Sequence, residues 1–115
     1  MPADCLFCGI VAGTTDAAIV YSDEAVVAFE DINPQAPHHV LFIPRHHVST
    51  LNDANDETVG HFGNLLKAAA AYAAEIGVAE DGYRVVMNCN SAAGQTVFHV
   101  HLHFLAGRSL SWPPG

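Results

Sequence analysis

Positive charge is scarce in this sequence: four lysines and arginines stand against twelve acids over 115 residues, a formal net charge of −8. A polyanion binder neutralises phosphates with basic side chains, so nucleic acid is not an expected partner. Charge of either sign is sparse, at 14% of residues against 50% hydrophobic, which is too apolar a composition for a disordered chain. Long hydrophobic runs are missing as well. Lys67 and Glu75 interrupt the alanine-rich stretch from Leu65 to Ala79 before it reaches the roughly 18 residues of a membrane span, and no membrane partner is expected. The start, Met1-Pro2-Ala3-Asp4-Cys5, lacks the basic residues and apolar stretch of a secretory signal, which leads to the expectation of a cytoplasmic protein. Cysteine is rare and odd in number, with Cys5 and Cys8 paired as Cys-x-x-Cys and Cys89 far away. That pattern fits a metal clip or reduced thiols better than a disulfide framework.

The length suits one domain, residues 1–115, with roughly 6,000 Å² of folded surface against about 18,000 Å² for the extended chain. No repeat, low-complexity block or linker divides it. Ala18 to Tyr21 and Ala25 to Phe29 flank the polar turn Ser22-Asp23-Glu24 and predict a hairpin. Two prolines make Asn33 to Pro37 an ordered loop feeding a strand from His39 to Ile43. Between Asp53 and Ile76 the positions Val59, Phe62, Leu66, Ala69, Ala73 and Ile76 recur at three- and four-residue steps, which predicts one long helix ending before Gly77. Tyr83 to Cys89 and Val97 to Leu105 read as further strands. Strands, then a helix, then strands imply an α+β sheet rather than repeated βαβ units.

Histidine is the residue in excess, with eight in the chain. Val97 to Leu105 alternates almost strictly, so a strand there places His99, His101 and His103 on one face and Val100, Leu102 and Phe104 on the other. Such a row serves either of two chemistries. It can ligate zinc, or one imidazole can attack phosphorus while its neighbours hold oxygens and move protons. The preceding stretch, with Asn88, Asn90, Ser91, Gln95 and Thr96, offers amide and hydroxyl groups for phosphate and few carboxylates to orient zinc ligands. Phosphate chemistry is favoured on that ground.

Gly94-Gln95-Thr96-Val97-Phe98 followed by His99-x-His101-x-His103 resembles the signature of the histidine triad (HIT) family. Asp31 to His47 resembles the upstream segment of that family, and Gly107-Arg108 with Trp112-Pro113-Pro114-Gly115 is similar to its Hint branch of purine nucleoside phosphoramidases. The resemblance covers essentially the whole chain. It implies a HIT-like α+β fold: an antiparallel meander sheet, one long helix and a short N-terminal helix, with the sheets of two subunits joined in a homodimer. It also implies a purine nucleotide substrate, an AMP or GMP derivative, cleaved through a nucleotidyl-histidine that water hydrolyses.

Residue by residue, the resemblance makes His101 the nucleophile and His39 a proton relay, with His99 supplying its backbone carbonyl or a supporting side chain. His103, Gln95 and Thr96 would contact phosphate or leaving-group oxygens, Asp31 the ribose hydroxyls, and Asn88 the region between them. Phe7, Ile10, Phe29 and Ile32 would form the apolar slot for the base, and Trp112 would reach the partner subunit's site. Catalysis would need no cofactor. Cys5-x-x-Cys8 resembles the zinc clip of bacterial members, with His47 and His99 as the other ligands of a structural zinc; two small core thiols are the alternative, and a redox pair is disfavoured because no strand precedes it. His38, His46 and His61 read as surface or supporting histidines. Two other functions share these residues: an AMP-binding regulatory or scaffolding protein with little turnover, and a dinucleoside polyphosphate hydrolase.

Overall fold

The computed structural model describes residues 4–115; Met1, Pro2 and Ala3 lie outside the described residues. Helix α1 (Leu6–Ala12) precedes three strands, β1 (Ile19–Ser22), β2 (Val26–Glu30) and β3 (His38–Pro44), and helix α2 (Val59–Glu75) separates these from β4 (Tyr83–Val86) and β5 (Leu102–Ala106). The five strands form one antiparallel sheet in the order β1-β2-β3-β5-β4. The first three make a meander, and β5 inserts between β3 and β4.

Local chemistry explains the joints. Asp23 turns the β1–β2 hairpin by accepting the Ala25 and Val26 amides, each at 2.8 Å, on Oδ1. Cys5 caps α1, its sulfur accepting the Cys8 amide at 3.3 Å, and Gly13 ends that helix at φ +80°. Gly77 takes φ +80° just after α2, the left-handed conformation a glycine adopts without strain.

The sheet separates two apolar layers. On one face Val26, Ala28, Val40, Phe42, Leu102 and Phe104 pack against Leu65, Tyr72 and neighbouring alanines of α2. On the other, Val27, Phe29, Leu41 and Ile43 are covered by Phe7 and Ile10 of α1. The α2 side is the main core, with Phe42, Leu65 and Phe104 fully buried, each worth roughly 1.5–3 kcal/mol of transfer free energy.

Four expectations need correction. The long helix starts at Val59, not near Asp53, because Leu51–Asp53 forms its own short 3-10 turn closed by a Thr50/Asp53 capping box. Its buried face is Leu65, Ala68, Ala69, Tyr72 and Ala73, while Val59 and Leu66 are exposed; an alanine-rich run gives nearly the same periodicity on two adjacent faces. The histidine segment is extended over Leu102–Ala106 alone. Before Leu102 the chain leaves the ladder, since the Val100 amide bonds to the Val48 carbonyl at 2.7 Å, so His99 and His101 precede the strand and do not share the face of His103 by simple alternation. β4 likewise stops at Val86 instead of Cys89. No described helix is long and apolar enough to cross a membrane.

Candidate active site and metal cluster

On the α1 side of the sheet a cavity of about 540 Å³ lies between α1, β2 and the start of β5. Phe7, Ile10 and Phe29 line it with apolar surface, Ile32 stands fully exposed at its rim, and Asp31, Thr96, His101 and His103 supply its polar side. Among the described residues, Asp16, Glu30 and Asp31 are the acidic residues around it, and no lysine or arginine lines it. A second cavity of about 550 Å³ beside β4 carries Arg84 and Arg108, but both guanidinium groups are bonded to backbone carbonyls and no histidine or cysteine is among its described lining residues.

The hydrogen bonds fix which nitrogen of each imidazole carries a proton. His101 Nδ1–H donates to the His99 carbonyl at 2.9 Å, which leaves the Nε2 lone pair free. The Gln35 amide donates to His39 Nδ1 at 3.0 Å, so the neutral ring of His39 holds its proton on Nε2. That proton is offered to His103 Nδ1 at 3.0 Å, with Asp31 Oδ2 at 3.4 Å from the same nitrogen. His103 therefore presents Nε2–H. Asp31 Oδ1 is spent on the Asn33 amide at 2.8 Å, so one carboxylate oxygen shapes the loop and the other remains beside the histidines.

Burial makes these rings poor bases. It is the main cause that lowers His101, opposed by the His99 carbonyl and by Asp31. Burial, with His101 and His39 close by, takes His103 to about 4. His39 is lowered by burial against the pull of Asp31. All three are neutral at pH 7. Asp31, His39 and His103 bring potential ligand atoms within 4.8 Å of one another, but a proton on His39 Nε2, held there by the Gln35 amide, suits a relay and not a cation.

Cys5, Cys8, His47 and His99 form a second group with ligand atoms within 4.8 Å. His99 Nδ1 lies 3.5 Å from each sulfur and 3.2 Å from His47 Nδ1, and Cys8 Sγ lies 3.3 Å from His47 Nδ1. Zinc bonds of about 2.3 Å to sulfur and about 2.0 Å to nitrogen imply tetrahedral edges of roughly 3.3–3.8 Å, so the donor set fits. The outer ring nitrogens are also engaged: His99 Nε2–H donates to the Pro44 carbonyl at 2.8 Å, and His47 Nε2 contacts Ser49 Oγ at 3.2 Å. Both therefore aim Nδ1 at the cluster. Without a cation, burial and the neighbouring Cys5 push the Cys8 thiol up to about 11.

The HIT domain model matches residues 12–110 of this sequence. The chain belongs to the HIT family. It is 44% identical over 110 residues to the purine nucleoside phosphoramidase of Escherichia coli, an alignment that covers 96% of this chain and 92% of that protein. A HIT family hydrolase from Legionella pneumophila superposes with a TM-score of 0.94 at 48% identity, covering 97% of this chain and all of that one. A zinc-bound histidine triad protein from Mycobacterium smegmatis is 39% identical with a TM-score of 0.76, covering 91% of this chain and 76% of that one. The protein is a HIT family hydrolase, and it carries a Cys/His cluster able to bind metal.

Of the residues picked out from the HIT resemblance, His101, His103, Asp31, Thr96, Phe7, Ile10, Phe29 and Ile32 line the one cavity, and His39 is bonded to His103. Gln95 differs from expectation. It is buried, its Oε1 accepting the Asn90 amide at 2.8 Å and its Nε2 donating to the Ser49 and Val97 carbonyls at 2.9 and 3.1 Å. Its amide has no donor left for a phosphate; it braces the loop instead. Asn88 follows β4 and lines none of the cavity, and Trp112 stands 81% exposed on the tail. His46 and His61 stack on one another near the surface, centroids 4.6 Å apart. Sequence reasoning missed the Gln35 amide, because a backbone donor leaves no mark in residue type.

Proposed function

We propose that this hydrolase cleaves the P–N bond of purine nucleoside 5′-monophosphoramidates, AMP-amine conjugates above all, through a nucleotide bonded to His101. The carrying observation is the free Nε2 of a neutral His101 that lines the same cavity as Asp31 and the Phe7, Ile10 and Phe29 slot. The phosphoramidase among the relatives supports the substrate class. The base enters the slot, the ribose hydroxyls meet Asp31, and the α-phosphorus faces His101.

His101 Nε2 attacks phosphorus as the P–N bond breaks, and the departing amine takes a proton from the His39–His103 pair. That pair donates from its cationic form, which the bound phosphoryl anion stabilises against burial. The positive charge on the substituted His101 ring is met by the His99 carbonyl at Nδ1–H. Water then attacks phosphorus, the P–N bond to His101 breaks, AMP leaves, and the water's proton returns to the pair. A structural zinc held by Cys5, Cys8, His47 and His99 would have four protein ligands and no open position, so its contribution is a cross-link.

In this reading residues 1–115 act as one HIT domain, in the cytoplasm, as a homodimer in which Trp112 serves the partner subunit. The carboxylates around the cavity and the lack of basic residues disfavour the more highly charged dinucleoside polyphosphates. The His101→Asn variant tests the reading against that of a nucleotide sensor. Turnover of adenosine 5′-phosphoramidate should fall by at least about a thousandfold, of the order seen when a nucleophile is removed, with AMP binding kept. Turnover within a few-fold of the unsubstituted protein would refute it.

A further inference from the structure

We propose that metal binding at the Cys5, Cys8, His47 and His99 cluster and nucleotide binding in the neighbouring cavity are coupled, each tightening the other, through His99 and α1. The inference rests on the nucleotide reading of the cavity.

His99 is fully buried and belongs to both places. Its Nδ1 lies in the cluster, 3.2 Å from His47 Nδ1, its Nε2–H is bonded to Pro44 at the end of β3, and its carbonyl receives Nδ1–H of His101 at 2.9 Å. Ligation that fixes the ring of His99 therefore also fixes the acceptor that orients the nucleophile. The second connection is α1. Cys5 caps it and Cys8 points from it into the cluster, while Phe7 and Ile10 on the same seven residues wall the cavity. The Phe7 ring stands edge-on to His101 with centroids 5.2 Å apart and to Phe29 at 5.3 Å.

A helix of seven residues is too short to hold itself together in water, so its position depends on side-chain anchors. The thiols of Cys5 and Cys8 stand in contact with the imidazoles of His47 and His99 at 3.3–3.5 Å. Four coordinate bonds replace these contacts when metal binds and narrow the range of positions open to the wall of the slot. A ligand that finds the wall already ordered loses less entropy on binding. Reciprocity is then compulsory: if metal raises nucleotide affinity by a given factor, nucleotide raises metal affinity by the same factor. The main core between the sheet and α2 contains none of the four ligands, so the fold is expected to persist when metal is withdrawn.

The test measures both sides of the cycle on the full chain. Zinc affinity is read by competition with a chromophoric chelator, with and without saturating AMP and corrected for zinc bound by AMP itself. AMP affinity is read calorimetrically on zinc-loaded and chelator-treated protein, with circular dichroism recorded on each. The expected result is a folded metal-free protein in which AMP and zinc tighten one another by equal factors within the usual range of roughly 5- to 150-fold. The Cys5→Ser variant, at zinc concentrations too low to load it, should bind AMP as the metal-free protein does. Factors within twofold of one, or a chelated protein that unfolds, would overturn the coupling. AMP binding without any zinc binding would overturn it and leave the nucleotide reading intact, whereas zinc binding without AMP binding would remove that reading as well.

Discussion

At the scale of single residues, the site is governed by where protons rest on its imidazoles. The Gln35 amide commits His39 Nδ1 to accepting, and the His99 carbonyl commits His101 Nδ1 to donating. Protonation of His101 Nε2 would abolish its nucleophilicity, and burial lowers its pKa below the 6.5 of a free imidazole. The neutral form that the proposed attack requires therefore survives further into acid, and the groups facing it, Asp31, His39 and His103, do not reverse that direction. The acid limb of kcat/KM against pH should fall below pH 6.5; a limb at or above 6.5 would contradict it. Gln95 gives a different expectation. Gln95→Leu leaves the Asn90 amide and the Ser49 and Val97 carbonyls without their partner, which should cost about 1–3 kcal/mol in urea unfolding, the usual penalty of an orphaned buried polar group.

Elements explain why part of the site was legible and part was not. The hairpin, the strand after Pro37 and the long helix follow from turn residues and apolar spacing, and the expected and observed bounds of β2 and β3 differ by about one residue at each end. The histidine segment was harder, because its alternation is real in sequence while its pairing is decided elsewhere: the Val100–Val48 bond takes the chain out of the ladder before His101. The buried face of α2 was displaced for a related reason, since alanines mark a small residue without saying which side is covered. In the sequence Gln95 is compatible with a phosphate contact, because an amide can face either way, and only the fold shows that it faces inward. The revised helix face has a measurable consequence. Leu65 is fully buried whereas Leu66 is 54% exposed, so Leu65→Ala should cost about 2–5 kcal/mol by denaturant unfolding, as large core truncations do, and Leu66→Ala much less.

Across the whole molecule, the sheet keeps structure and chemistry on opposite faces. The α2 side carries most of the core, and the α1 side carries the cavity and, beside it, the metal cluster. Under the proposed function, such a division would let a strongly acidic protein handle a phosphoryl group, since the groups acting on it would be imidazoles and carbonyl-oriented protons instead of a basic surface. The central claim is that His101 itself becomes bonded to phosphorus. The stereochemical course at phosphorus tests it most directly, using one diastereomer of an adenosine 5′-phosphorothioamidate hydrolysed in isotopically labelled water. Two in-line displacements, by His101 and then by water, predict retention of configuration; inversion would mean that water attacks the substrate in a single step and that no nucleotidyl-histidine forms.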